Sequence, residues 1–82
     1  MKIKYKTSVK VTAGWRTVEV VAFATQVSPG YATVDDVLSI DGETPNRKQS
    51  RTGSKRQSFD GTFWATVEIG KRKRISALEI IN

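Results

Sequence analysis

The chain has no cysteine and no histidine. The first absence removes disulfides, thiolate metal sites and thiol chemistry. The second removes the usual zinc ligands and the Ser-His-Asp triad. The six glycines stand singly beside turn positions, so no glycine-rich phosphate cradle is present. No run approaches the ~18 apolar residues of a membrane span. The opening Met1-Lys2-Ile3-Lys4-Tyr5-Lys6 is basic but lacks the apolar core of a signal peptide. A soluble, cytoplasmic protein is therefore expected.

Acid chemistry is thin as well. Among eight carboxylates, only Asp35–Asp36 and Asp41–Glu43 are close in sequence. Adjacent acids diverge on a strand or serve a helix N-terminus, so neither pair reads as a catalytic dyad. Asp41-Gly42-Glu43 lacks the alternating oxygen ligands and distal Glu of a calcium loop. The expectation is a protein that is not an enzyme, with no catalytic residue, no metal and no cofactor.

What is present is positive charge. Eighty-two residues make one small domain, 1–82, with a thin core. A net charge of +6 and a pI near 10.0 point toward a polyanionic partner. The charge comes in blocks. Residues 1–18 carry Lys2, Lys4, Lys6, Lys10 and Arg16 with no acid. Residues 19–43 carry Glu19, Asp35, Asp36, Asp41 and Glu43 with no base. Residues 44–58 return to Arg47, Lys48, Arg51, Lys55 and Arg56, again without an acid. Residues 59–82 set Lys71, Arg72, Lys73 and Arg74 against Asp60, Glu68 and Glu79. A fold that gathers the basic blocks on one side would be strongly dipolar.

The patterning is mainly β. Ile3, Tyr5, Val9 and Val11 alternate with Lys2, Lys4, Lys6, Ser8 and Lys10, the mark of a strand with one buried and one lysine-coated face. A hairpin turn is expected at Ala13-Gly14, followed by a longer strand over residues 15–27. That second strand has apolar residues on both parities, which predicts either two covered faces or a bulge in a curling sheet. Ser28-Pro29-Gly30 is a turn. Residues 33–40 are ambiguous. A short helix would be capped by Thr33 and would place Val34, Val37 and Leu38 on one face; the rival is a strand from Val37 to Ile40 turning at Asp41-Gly42.

Residues 44–58 contain no large apolar side chain and form a basic loop, expected to be flexible. Residues 62–69 read as a strand, with Phe63, Ala65, Val67 and Ile69 on one parity and Trp64 on the other. Gly70-Lys71 fits a two-residue turn that would set Glu68 opposite Lys73. Residues 72–81 would be the partner strand, although Ile75, Leu78 and Ile81 also fit helical spacing. The expected architecture is a small curved antiparallel sheet or barrel of four or five strands, of OB- or SH3-like size.

Three basic features suggest a phosphate track. They are the loop (Arg47, Lys48, Arg51, Lys55, Arg56), the lysine face of the first strand (Lys2, Lys4, Lys6, Lys10), and Arg72 with Arg74 at the last turn. Arg forks grip phosphate bidentately and Lys adds mobile charge. In a strand only alternate residues share a face, so at most two of the four charges at 71–74 meet one track. Trp64 and Tyr31 are the candidates for stacking on bases, which favours single-stranded DNA or RNA. The alternative is a small inhibitor or adaptor that binds an acidic protein surface. The opposed blocks would also let two copies pair as a homodimer.

Overall fold

The computed structural model describes residues 1–11, 14–44, 65 and 67–81. Within them the chain is mainly β. Five antiparallel strands form one curled half-barrel: β1 (Lys2–Val11), β2 (Gly14–Ser28), β3 (Tyr31–Ile40), β4 (Arg72–Arg74) and β5 (Glu79–Ile80), in the order β4-β3-β2-β1-β5.

β1 follows its alternation. Ile3, Tyr5 and Val9 are buried, while Lys2, Lys4 and Lys6 face outward. It pairs with β2 without slippage from Lys2↔Phe23 to Val11↔Gly14. β2 keeps one buried parity through Val18, Val20, Ala22 and Ala24. Its other apolar residues are not covered, contrary to the two-covered-faces reading: Trp15, Phe23 and Val27 are exposed on the outer side. The one extra residue on β2 itself is Val27, between Gln26 and Ser28.

Residues 33–40 are strand, not helix. The β2–β3 register skips Asp35 between Phe23 and Ala24, and skips Leu38 between Val21 and Ala22. Each bulge adds one residue to the two-residue repeat, so Val34, Val37 and Ile40 are all buried at a spacing of three. Two bulges in a strand thus imitate a helical stripe. Bulges also bend a strand and increase its twist, and these two lie where the sheet curls. β3 ends in the Asp-Gly turn. Asp41 (φ 52°) and Gly42 (φ 84°) are both left-handed, and Ile40 and Glu43 exchange backbone bonds of 2.9 and 3.0 Å, the type I′ pattern.

The strand expected at 62–69 is replaced, at its described residues, by the closing turn of a helix. Ala65, Val67 and Glu68 are helical, and the Ile69 amide donates to the Ala65 carbonyl at 3.0 Å. Gly70, at φ 85°, supplies the left-handed residue that ends the turn, so Gly70-Lys71 is not a hairpin tip. A strand would have buried Ala65, Val67 and Ile69 together. The helical turn instead buries Ala65 and Glu68, three residues apart, and leaves Val67 and Ile69 exposed.

Residues 72–81 form neither one strand nor a helix. β4 pairs with β3, a 3-10 turn follows at Ile75–Ala77, and β5 pairs with β1. The turn explains the spacing of Ile75 and Leu78, which both pack against the core. It also closes the sheet. β4 and β5 lie on opposite margins, which a flat sheet would hold about 19 Å apart. Arg74 and Glu79 are joined by so few residues that the chain between them spans at most about 18 Å when fully extended. A 3-10 turn is shorter still, so the margins must curl toward each other.

Candidate nucleic-acid interface

Register determines which side chains share the outer face, because residues paired across antiparallel strands point the same way. On β1 and β2 the outer pairs are Lys2↔Phe23, Lys4↔Val21 and Lys6↔Glu19, and the backbone register sets Lys10 opposite Trp15. On β3 and β4 they are Thr33↔Arg72 and Tyr31↔Arg74. Trp15 is 71% exposed and Phe23 45%, whereas Tyr31 is half-buried. Each of these three aromatic residues therefore lies opposite a basic residue in the register.

The charge is not a continuous strip across this face. Glu19, Asp35 and Asp36 lie on β2 and β3, between the lysines of β1 and the arginines of β4. Asp35 accepts a 2.6 Å hydrogen bond from the Thr25 hydroxyl. Lys4 and Lys6 each face an acid across the strands, Glu79 and Glu19. Curling brings the two basic margins closer by the other route. Arg74 and Tyr31 line a shallow depression with Gly30 and Ser76, and Lys4 and Lys6 line a second one that also includes Ser76. The closing turn thus has Arg74 on one side and, on the other, Lys4 and Lys6 balanced by Glu19 and Glu79.

Of the run 71–74, Arg72 and Arg74 face outward from β4, and Lys71, just before the strand, is exposed too. Lys73 turns inward, where its Nζ lies 3.2 Å from Glu68 Oε1 and 4.5 Å from the centre of the Tyr5 ring. The Tyr5 hydroxyl donates to the same Glu68 oxygen at 2.7 Å. Burial, together with the Glu68 carboxylate as acceptor, pushes the Tyr5 phenol well above its ordinary pKa. The expected Glu68–Lys73 pair exists, but it links the helical turn to the inner face of β4 rather than two strands of a hairpin. Lys73 is accordingly structural.

Arg72 and Arg74 instead both lie against Tyr31, their Cζ atoms 5.1 and 5.8 Å from the ring centre. The remaining described arginine, Arg16, is held by Asp41 at 2.8 Å.

Among the residues expected from the sequence, Lys2, Lys4, Lys6, Tyr31, Arg72 and Arg74 thus share the outer face, and Lys10 is described in its backbone alone, within β1. Arg47, Lys48, Arg51, Lys55, Arg56 and Trp64 lie outside the described residues, as does the basic loop beyond Thr44. Sequence reasoning passed over Trp15 and Phe23. A signal for both was available: they have the opposite parity to Val18, Val20, Ala22 and Ala24, which one strand cannot bury on the same side.

Among the described residues, no helix is long and apolar enough to cross a membrane. In comparisons with known proteins, no family model, no curated protein sequence and no solved structure matches this chain.

Proposed function

We propose that this is a non-enzymatic nucleic-acid-binding protein that takes single-stranded DNA or RNA on the outer face of its sheet. The observation that carries the reading is the exposure of Trp15 and Phe23 on one sheet face, at positions opposite Lys10 and Lys2 in the backbone register. Aromatic rings offer stacking surface to unpaired bases, and a cation beside each ring meets the adjoining phosphate. No described helix resembles a major-groove reader, so duplex DNA ranks second. The basic residues of 44–58 add positive charge to the same chain.

Fluorescence anisotropy with labelled single strands, duplexes and RNA tests the reading. Single strands should bind saturably and tightest, with a log–log salt slope of about −0.7 for each phosphate contacted. Absence of saturable binding at low salt rejects it. Serine at Arg47, Lys48, Arg51, Lys55 and Arg56 should weaken affinity while the protein stays folded.

A second reading, a module that binds an acidic protein surface, draws on the exposed Val27 and Ile80, which no base-stacking role uses. It takes over if the oligonucleotides fail and an acidic polypeptide binds.

A further inference from the structure

Tyr31 has the composition of a base-stacking residue, but its ring is already occupied. Arg74 is its direct cross-strand partner, and Arg72 stands two residues back on the same face. Both guanidinium carbons lie within cation–π range of the ring, at 5.1 and 5.8 Å. A base approaching the ring would meet those groups first.

The two arginines also differ from Lys73 and Arg16, which are both paired. Lys73 is neutralised by Glu68 and Arg16 by Asp41. Among the described residues, Arg72 and Arg74 have no carboxylate within ion-pair distance. They are two guanidinium groups set against one ring with no counter-charge among the described residues, and guanidinium forks bind phosphate bidentately. The open depression beside them, about 310 Å³, is lined by Gly30, Tyr31, Arg74 and Ser76, so a serine side chain borders the same space.

β4 is fixed from behind. Lys73 anchors it to Glu68 and Tyr5, and the Ile75 amide donates to the Gly30 carbonyl at 2.8 Å. A strand fixed on its inner face presents its outer side chains from a stationary backbone, which lowers the ordering cost of binding.

We propose that Tyr31, Arg72 and Arg74 form a phosphate clamp, in which the tyrosine ring is the spacer that holds two guanidinium forks ready and no base stacks on it. The clamp rests on the nucleic-acid reading above for its natural ligand, but inorganic phosphate tests it separately. Tyr31 is a positioning residue here, and the arginines touch the ligand.

The experiment follows the arginine side-chain Nε–H resonances by NMR while inorganic phosphate or a short oligothymidine is added, and measures oligothymidine affinity against salt for variants. The clamp predicts that Arg72 and Arg74 shift with both ligands. Tyr31→Ala should lose about three- to ten-fold in affinity, from two exposed cation–π contacts. It should also flatten the salt slope by about 0.7 for each phosphate no longer held. Tyr31→Phe should change neither quantity, since the ring face and not the hydroxyl positions the arginines.

Contrary results separate cleanly. A Tyr31→Ala loss with an unchanged salt slope makes Tyr31 a stacking residue and overturns the clamp. Oligothymidine binding without a shift at Arg72 and Arg74 also overturns the clamp, and leaves the nucleic-acid reading standing. Shifts with inorganic phosphate but no oligothymidine binding support the clamp and reject the nucleic-acid reading. No shift with either ligand rejects the clamp.

Discussion

β4 is three residues long and supplies cations to two clusters, each built around a tyrosine. On its inner side Lys73 meets Tyr5, and on its outer side Arg72 and Arg74 meet Tyr31. The inner cluster contains a buried carboxylate, Glu68, which accepts from the tyrosine and pairs with the lysine. No carboxylate pairs with the outer arginines among the described residues. The first cluster is thus electrically closed and removed from water, while the second keeps two positive charges at the surface. Similar residue types have become a structural pin in one place and an unneutralised cation pair in the other. The strand's two-residue repeat made that division.

The contrast is broken most severely by removing the inner acid. Glu68→Ala leaves a half-buried lysine and a buried hydroxyl without their acceptor, and should cost up to about 3–5 kcal/mol in stability. Urea denaturation reads this directly, and a loss below about 1 kcal/mol would show that the cluster is not a pin. The triple change Tyr5→Phe, Glu68→Met and Lys73→Met removes every polar member together. It should recover most of the loss, because an apolar replacement leaves no unpaired group behind.

The outer face should behave the other way. Trp15→Ser and Phe23→Ser remove exposed rings, so each should leave stability within about 0.5 kcal/mol of the parent. If bases stack there, each should cost about 1–3 kcal/mol in single-strand affinity. An abasic oligonucleotide is the control: against it the variants and the parent should bind alike. Equal losses on abasic and normal strands would assign the rings to some other contact.

Tyr5→Phe probes the inner pin more gently. It deletes a hydrogen bond to a charged acceptor and should cost about 1.5–3 kcal/mol at neutral pH. It also has a pH signature. The folded protein holds the Tyr5 proton more tightly than the unfolded chain does. Between the ordinary phenol value near 10 and the raised folded value, the unfolded state therefore binds fewer protons. Stability from this group is complete below about pH 10 and declines as the pH rises above it. The difference in stability between parent and Tyr5→Phe should accordingly shrink in alkali. A difference that stays constant to high pH would remove Tyr5 from the linkage.

The fold was legible wherever one rule acted alone. β1 has no bulge, and its alternation of lysines with Ile3, Tyr5 and Val9 gave the strand, the buried face and the outward lysines. β3 was obscured because two bulges converted a two-residue repeat into the three-residue spacing of Val34, Val37 and Ile40. Near Glu68 the difficulty was polarity. The sequence paired Glu68 with nearby Lys73 but gave no sign that the acid is buried, because its other partner, Tyr5, comes from a distant segment. The alternation rule did separate Lys73 from Arg72 and Arg74. What it could not reveal was that both arginines converge on Tyr31, since β3 and β4 are far apart in sequence.

A second ion pair sharpens the comparison through its expected weakness. Arg16 and Asp41 approach to 2.8 Å, closer than Lys73 and Glu68 at 3.2 Å, so distance alone would rank the outer pair first. Their side chains are 56% and 35% exposed, against 22% and 6% for the inner pair. Water and salt screen the outer pair, and ordering a long arginine side chain offsets part of the attraction. Arg16→Ala should therefore cost no more than about 0.5 kcal/mol, and less in high salt. Asp41 would retain its 2.9 Å bond from the Glu19 amide, so the turn keeps its anchor when the arginine is gone. Denaturation of Arg16→Ala at low and high salt measures this. A loss comparable with that of Glu68→Ala would mean that pairing, and not burial, distinguishes the structural cluster from the open one.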